Sequence, residues 1–124
     1  MNTLAVSPDP KRLAEIQSAV ANIELLGTLQ THHGSLESEQ TLPGKGTPDV
    51  LLLDCTTHAI AELSALERIA PQFPQLNTIL IVAEDSAEIL LRVLRIGVRE
   101  VVKVPLAAED FSSAGQCSQL CENI

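Results

Sequence analysis

The stretch that most constrains the fold is a short apolar run closed by a carboxylate, PDVLLLDC at residues 48–55. Polar and apolar residues do not alternate in it, which is typical of a parallel strand covered by helices on both faces. Full burial of each leucine contributes roughly 1.5–3 kcal/mol, so such a strand can anchor a small domain. We therefore predict a central strand with Asp54 at its carboxyl end, the edge where open α/β sheets bind ligands.

Two roles for Asp54 are open on the residues alone. Asp54, Thr56 and Thr57 precede a helical pattern, and any of these side chains can accept a hydrogen bond from the first free N–H groups of that helix. The other possibility is a functional carboxylate facing the ligand crevice. The sequence does not separate a helix cap from a functional site.

The rest of the chain alternates strand patterns with helical patterns. Further strands are predicted over residues 3–6, 23–29, 78–83 and 98–104. Helices are predicted around residues 13–20, over a polar, exposed stretch at 31–40, over 60–70, from Ser86 to a stop at Gly97, and over 106–120. Parallel crossovers need a helix and are nearly always right-handed, so residues 1–124 are predicted to form one α/β domain, a doubly wound five-stranded parallel sheet with flanking helices.

Composition excludes several functions. The chain has a formal net charge of −8 and only 2% aromatic residues, so it should repel phosphate backbones and lacks rings on which bases stack. Its apolar runs are far shorter than the roughly 20 residues of a membrane span, and its first residues do not resemble a signal peptide. We expect a cytoplasmic protein that neither binds nucleic acid nor inserts into a membrane.

No metal or cofactor is predicted. Cys117 and Cys121 lie four residues apart without a His or acid to complete a site, and His32, His33 and His58 have no ligand spacing. Gly44 and Lys45 do not fit a phosphate-binding loop, because both ends of that motif are missing. Lys11 and Arg12, at the start of the first helix, are predicted to be solvated.

Three segments, in order, resemble the receiver domains of two-component response regulators. Residues 48–54 resemble the phosphoacceptor strand, residues 7–10 (SPDP) occupy the place of the acidic cluster after the first strand, and residues 97–106 resemble the fifth-strand segment that usually ends in Lys-Pro. The resemblance implies a flavodoxin-like, CheY-like fold with strand order 2-1-3-4-5. It also implies a cis peptide between Val104 and Pro105 and places Asp54 at the phosphoacceptor position.

The resemblance also shows what this chain lacks. Receivers transfer a phosphoryl group to their Asp with a magnesium ion held by paired acids, a Lys, and a Ser or Thr. The matching positions here hold Ser7 and Pro8, leaving only Asp9 of the acidic cluster, with Ala83 for the Ser or Thr and Val104 for the Lys. Lys103 should not substitute, since neighbouring strand residues point to opposite faces. We expect a non-enzymatic interaction module; the alternative is a receiver phosphorylated on Asp54.

Among such altered receivers, residues 94–106, with Glu109 and Asp110 beyond, are similar to the amino-terminal domain of the CpaE/TadZ pilus-assembly proteins. That similarity implies pilus or secretion assembly proteins as partners and recruitment to a membrane-associated assembly at a cell pole. In that family a ParA/MinD-like ATPase domain follows, so the resemblance implies that residues 1–124 are a fragment of a longer protein.

The helix predicted from Ser86 is apolar around too much of its circumference for one buried face. At about 100° per residue its apolar side chains span an arc of roughly 220°. The surplus predicts an exposed apolar strip, and such strips commonly mark protein contacts. We expect a homodimer through Leu91, Arg95 and Ile96; the alternative is that the last helix, through Phe111 and Ala114, covers the strip.

Overall fold

The computed structural model describes residues 2–20, 27–36, 47–83 and 86–104. Its elements are β1 (Asn2–Ser7), α1 (Pro10–Val20), β2 (Thr28–His33), β3 (Val50–Asp54), α2 (Ala59–Ile69) with a 3-10 turn (Ala70–Gln72), β4 (Asn77–Val82), α3 (Ala87–Ile96) and β5 (Glu100–Lys103). The strands form one five-stranded parallel sheet in the order β2-β1-β3-β4-β5. The predicted fold class and strand order are confirmed.

Strand β3 lies at the centre of the sheet and is buried on both faces. Leu51 and Leu53 belong to a core cluster shared with α2 and α3, whereas Val50 and Leu52 belong to a second cluster shared with α1. All four side chains are at most 4% exposed. The unbroken apolar run therefore has the cause that the sequence predicted, helices on both sides of one strand.

The second strand is the largest error in the sequence-based prediction. It was expected over 23–29 and lies at Thr28–His33, so the helix expected over 31–40 is wrong at its start. Residues 21–26 and 37–46 lie outside the described part of the chain. Strand β2 is an edge strand that pairs with β1 alone, and most of its side chains are exposed. An edge strand can form backbone hydrogen bonds to its one neighbour without an apolar pattern in its side chains. For this reason the polar sequence of β2 did not predict a strand.

The remaining predictions differ from the structure mainly at element ends. Strand β5 is shorter than the expected 98–104, and α2 ends in the 3-10 turn that contains Pro71. As predicted, Ser86 caps α3, its Oγ accepting the Ile89 N–H at 3.2 Å, and Gly97 ends the helix with a left-handed φ of 84°. The last helix and the Val104–Pro105 peptide lie outside the described residues.

Within residues 2–20, 27–36, 47–83 and 86–104, every helix is too short or too polar to cross a lipid bilayer.

Candidate functional site

The candidate site is the crevice at the carboxyl ends of β1 and β3. These strands are neighbours in the sheet, with Val6 opposite Leu53, so the residues that follow, Ser7 and Asp54, lie side by side. Both are buried, with Ser7 0% and Asp54 1% exposed. Ser7 Oγ donates a hydrogen bond of 2.7 Å to Asp54 Oδ2. The serine that replaces an acid of the receiver cluster thus binds the aspartate directly.

The second carboxylate oxygen of Asp54 is held by the turn after β3. Asp54 Oδ1 accepts hydrogen bonds from the Thr56 backbone N–H at 2.9 Å and the Thr56 Oγ1 hydroxyl at 2.6 Å. Helix α2 begins later, at Ala59, with His58 at its N-cap and no side-chain cap bond. Asp54 therefore closes a local turn of the kind that Asp side chains favour, and its interpretation as a helix cap is wrong.

Arg12 reaches the crevice from the first turn of α1. Its Nε lies 3.9 Å from Asp54 Oδ2, and its NH1 donates a 2.7 Å hydrogen bond to Glu15 Oε2 on the surface. The Arg12 side chain is only 17% exposed, so the expectation that it is solvated is wrong. A signal was present: Arg12 is four residues before Ile16, which is four before Val20, and both of these are buried. Arg12 therefore shares the inward stripe of α1.

Pro8 and Asp9 form hydrogen bonds with residues other than Asp54. The Asp9 carboxylate accepts the Lys11 N–H at 2.9 Å, and the Asp9 N–H donates to Ser7 Oγ at 3.0 Å. The Pro8 carbonyl accepts a 3.0 Å hydrogen bond from His33 Nε2 on β2. The SPDP segment therefore builds the turn into α1 and joins it to the edge strand.

The remaining positions of a receiver site supply no polar side chain. Ala83 is exposed just beyond β4, and Val104, just beyond β5, packs against the core cluster on the α1 side. Lys103, its neighbour on β5, is exposed. Pro105 lies outside the described residues.

The residues present do not fit the magnesium ion of a receiver. Mg²⁺ requires several oxygen ligands in octahedral geometry, usually including carboxylates. At the acidic-cluster positions there are a serine hydroxyl that binds Asp54, a proline, and Asp9, whose carboxylate accepts the Lys11 N–H; the guanidinium of Arg12 lies beside Asp54 itself. In the described ranges no group of three or more His, Cys, Asp and Glu residues is arranged to hold a metal.

A second buried carboxylate, Glu62 on α2, was missed by sequence reasoning. It is 2% exposed, accepts the Leu36 N–H at 3.1 Å and is hydrogen-bonded to the Ser35 hydroxyl. Its spacing was the available signal, because Glu62, Ala65 and Ile69 recur at helical period and all three are buried. Glu62 fixes the segment after β2 against α2.

Cys55 follows Asp54 on the chain and is 2% exposed. Burial raises the pKa of its thiol well above the ordinary range, and the nearby charges of Glu62 and Asp54 raise it further. The thiol therefore stays protonated at neutral pH, and a thiolate nucleophile is not available at this edge of the sheet.

The outer side of α3 carries an exposed apolar strip, as the sequence predicted; Phe111 and Ala114, which cover the strip in the alternative, lie outside the described residues. Leu90, Leu91 and Leu94 are 44%, 66% and 79% exposed. Arg95 borders them and lies 3.6 Å from Glu67 of α2. Ile96, expected in the same surface, instead packs against the core cluster and lies on the inner side of the helix.

No protein-family model and no curated protein matches the chain. Solved structures do. A putative CpaE pilus assembly protein from Burkholderia thailandensis aligns over 100% of this chain and 99% of its own, at 25% identity and a TM-score of 0.76. A putative pilus assembly-related protein from Burkholderia pseudomallei aligns over 97% and 90%, at 24% identity and a TM-score of 0.77.

Response regulators are also similar in shape. The BeF3-activated receiver domain of DrrB aligns over 98% of this chain and 97% of its own, at 18% identity and a TM-score of 0.73. The chain has the fold of a CheY-like receiver domain. The resemblance inferred from the sequence, to receivers and to CpaE proteins, is confirmed.

Proposed function

We propose that this receiver-fold domain is a non-catalytic interaction and localisation module of a pilus-assembly (type IV/Tad secretion) protein. One observation carries the proposal: the carboxylate of Asp54 is engaged on both oxygens by the chain itself. The similarity to CpaE pilus assembly structures supports the choice of system.

The geometry offers little help to phosphoryl transfer. Phosphoryl transfer depends on positioning and on cations that neutralise the charge of the transferred group. Here Ala83 and Val104 are apolar, and an incoming phosphoryl group would first have to displace the hydroxyl that binds the oxygen it attacks, that of Ser7 at Oδ2 or that of Thr56 at Oδ1. The alternative function, a receiver phosphorylated on Asp54, therefore requires that these bonds open and that other groups replace the missing ones.

A phosphodonor experiment separates the two functions. The protein is incubated with Mg²⁺ and acetyl phosphate, or with beryllofluoride, and followed by intact mass and amide NMR spectra. We expect neither an adduct nor shifts centred on Asp54. An adduct in the wild type that is absent from Asp54→Asn would establish the phosphoacceptor function instead.

We further propose that the module self-associates through the outer side of α3 as a two-fold dimer. Glu88 and Arg95 are seven residues apart and so lie within about 20° of each other around the helix. An antiparallel two-fold pairing of α3 helices places Glu88 of one copy against Arg95 of the other, twice, with Leu91 at the centre. The exposed Leu91 and Leu94 supply the apolar area. This charge complementarity favours a second copy as the occupant.

Sedimentation of the wild type and of Leu91→Glu tests the dimer. The wild type should dimerise at high micromolar concentration, and Leu91→Glu should be monomeric. Gln75→Glu, at an exposed position away from α3, adds the same negative charge and should dimerise like the wild type. A monomeric wild type, or a dimeric Leu91→Glu variant, would defeat the proposal.

The implied context is also proposed. An ATPase domain following residue 124 and recruitment to an assembly at a cell pole would place the module as the targeting part of a longer protein. Sequencing the gene past the codon for Ile124 tests the first point, and imaging a fluorescent fusion with and without Leu91→Glu tests the second. A diffuse fusion, or a stop codon directly after Ile124, would contradict the respective proposal.

A further inference from the structure

We propose that Arg12 is the built-in counter-ion of Asp54, taking the place that a divalent cation has in response-regulator receivers and excluding that cation from the crevice. The inference deepens the proposed non-catalytic role and rests on it. It concerns the side chains that close the crevice and not the surface that binds a partner.

The position of the guanidinium is the first support. Arg12 Nε lies 3.9 Å from Asp54 Oδ2, and the two side chains are 17% and 0% exposed. Nε is itself buried and has no hydrogen bond in the described part of the chain, so its contact with Asp54 is an ion pair and not a hydrogen bond. NH1 turns outward to Glu15. The guanidinium thus bridges an interior carboxylate and a surface carboxylate.

The charge of Asp54 is the second support. A buried carboxylate is costly unless it is paired and hydrogen-bonded. Ser7 and Thr56 supply hydrogen bonds from neutral groups, which satisfy the oxygens but leave the negative charge. The guanidinium of Arg12 supplies the opposite charge at the same oxygen that Ser7 binds. The guanidinium therefore offsets the negative charge that the hydroxyl donors leave on Asp54.

Exclusion of a metal follows from the same arrangement. A divalent cation bound to Asp54 would lie beside the guanidinium, and like charges at such distances repel strongly in a partly buried site. The cation would also lack one carboxylate ligand, because Ser7 occupies a position where a receiver has an acid. Two changes are therefore needed to recover a metal site: an acid at position 7 and removal of the arginine charge.

The test adds these changes one at a time. Mg²⁺ is titrated into Ser7→Asp and into Ser7→Asp/Arg12→Gln, with binding followed by calorimetry and by amide shifts of residues beside Asp54. In the single variant Arg12 lies beside two carboxylates and competes with the metal. We expect the double variant to bind Mg²⁺ at least about ten-fold more tightly, a difference that corresponds to about 1.4 kcal/mol. Equal affinities would overturn the role of Arg12.

A double-mutant cycle supplies a second measurement that needs no acid at position 7. The unfolding equilibrium constants of Arg12→Met, Asp54→Asn and the double variant are compared with that of the wild type. We expect a coupling of about ten-fold between the two sites, within the range for contacting residues. If the effects of the two substitutions on the free energy of unfolding simply add in the double variant, the proposal is overturned. Glu15→Gln removes only the surface partner of Arg12 and is the control. The coupling between Glu15→Gln and Asp54→Asn should be several-fold smaller than the coupling between Arg12→Met and Asp54→Asn.

The experiments separate this inference from the proposed function. An Asp54 adduct in the wild type defeats the non-catalytic role. Equal Mg²⁺ affinities in the two Ser7→Asp variants, without any wild-type adduct, defeat only the counter-ion.

Discussion

The crevice around Asp54 and the outer side of α3 each hold a residue in an unusual environment, a buried charge in the first and an exposed apolar side chain in the second. Asp54 is a charged residue in the interior, and hydroxyls, a backbone N–H and a guanidinium surround it. Leu94 is an apolar residue on the surface, 79% exposed. In this chain the hydroxyls of Ser7 and Thr56 occupy the crevice, and the exposed apolar area lies on α3.

The difference has a physical reason. A buried polar group that loses its partners costs free energy at once, so an interior carboxylate persists only with a full set of partners. An exposed leucine costs a folded monomer little, since much of any protein surface is apolar. Three such leucines on one helix form a patch that a second protein surface can cover. This contrast is why we propose that the module binds through α3 and not at the crevice.

The largest expected effect comes from breaking the closed crevice with Asp54→Ala. The variant leaves the hydroxyls of Ser7 and Thr56 and the Arg12 charge without their acceptor, and we expect a loss of about 3 kcal/mol in the free energy of unfolding. Urea denaturation measures it. Asp54→Asn keeps one oxygen acceptor and should lose less. Wild-type stability in Asp54→Ala would show that the crevice bonds contribute nothing to the fold.

A second test uses the buried thiol beside the crevice. The folded pKa of Cys55 is raised, so the unfolded chain releases this proton first, above about pH 8.5, and the stability contributed by the neutral thiol is lost as pH rises from there. The free energy of unfolding should fall more steeply above that pH than in Cys55→Ala, by at most about 1.4 kcal/mol per pH unit. Parallel pH profiles would contradict the burial of the thiol.

A third test weakens the helix that carries the apolar strip. Ser86→Ala removes the oxygen that accepts the Ile89 N–H at the start of α3, and N-cap losses of this kind cost about 1 kcal/mol. Thermal unfolding measures the loss. Ser86→Asp provides the control, because its carboxylate can cap the same N–H and should retain stability. Equal losses in the two variants would show that the cap is not the cause.

The smallest effect on stability is expected on the strip itself. Leu94→Ala removes a side chain that touches little of the core, so the monomer should change by less than about 0.5 kcal/mol. The same substitution at buried Leu66 of α2 should cost several-fold more. If Leu94→Ala weakens dimerisation at unchanged monomer stability, the strip serves association. A large loss of monomer stability would instead make the strip part of the core.

Sequence patterns predicted the elements whose residues are matched to their own surroundings. The apolar runs of β3 and β4, the cap at Ser86 and the stop at Gly97 all lie where the pattern placed them, within one residue for β4. These features depend on periodicity and on groups a few residues apart, and both are visible in a sequence. The order of strands came from the resemblance to receivers and agrees with the sheet.

Tertiary structure alone decided which side chains meet. Ser7 and Asp54 are 47 residues apart, and their hydrogen bond exists because β1 and β3 are neighbours in one register. The same sheet made β2 an edge strand, where backbone pairing to β1 outweighs a polar sequence. Glu62 likewise met Leu36 only through packing. The spacing of Arg12 on the buried stripe of α1 was visible in the sequence, but its partner, Asp54, lies on a strand elsewhere in the chain, and only the tertiary structure brings the two together.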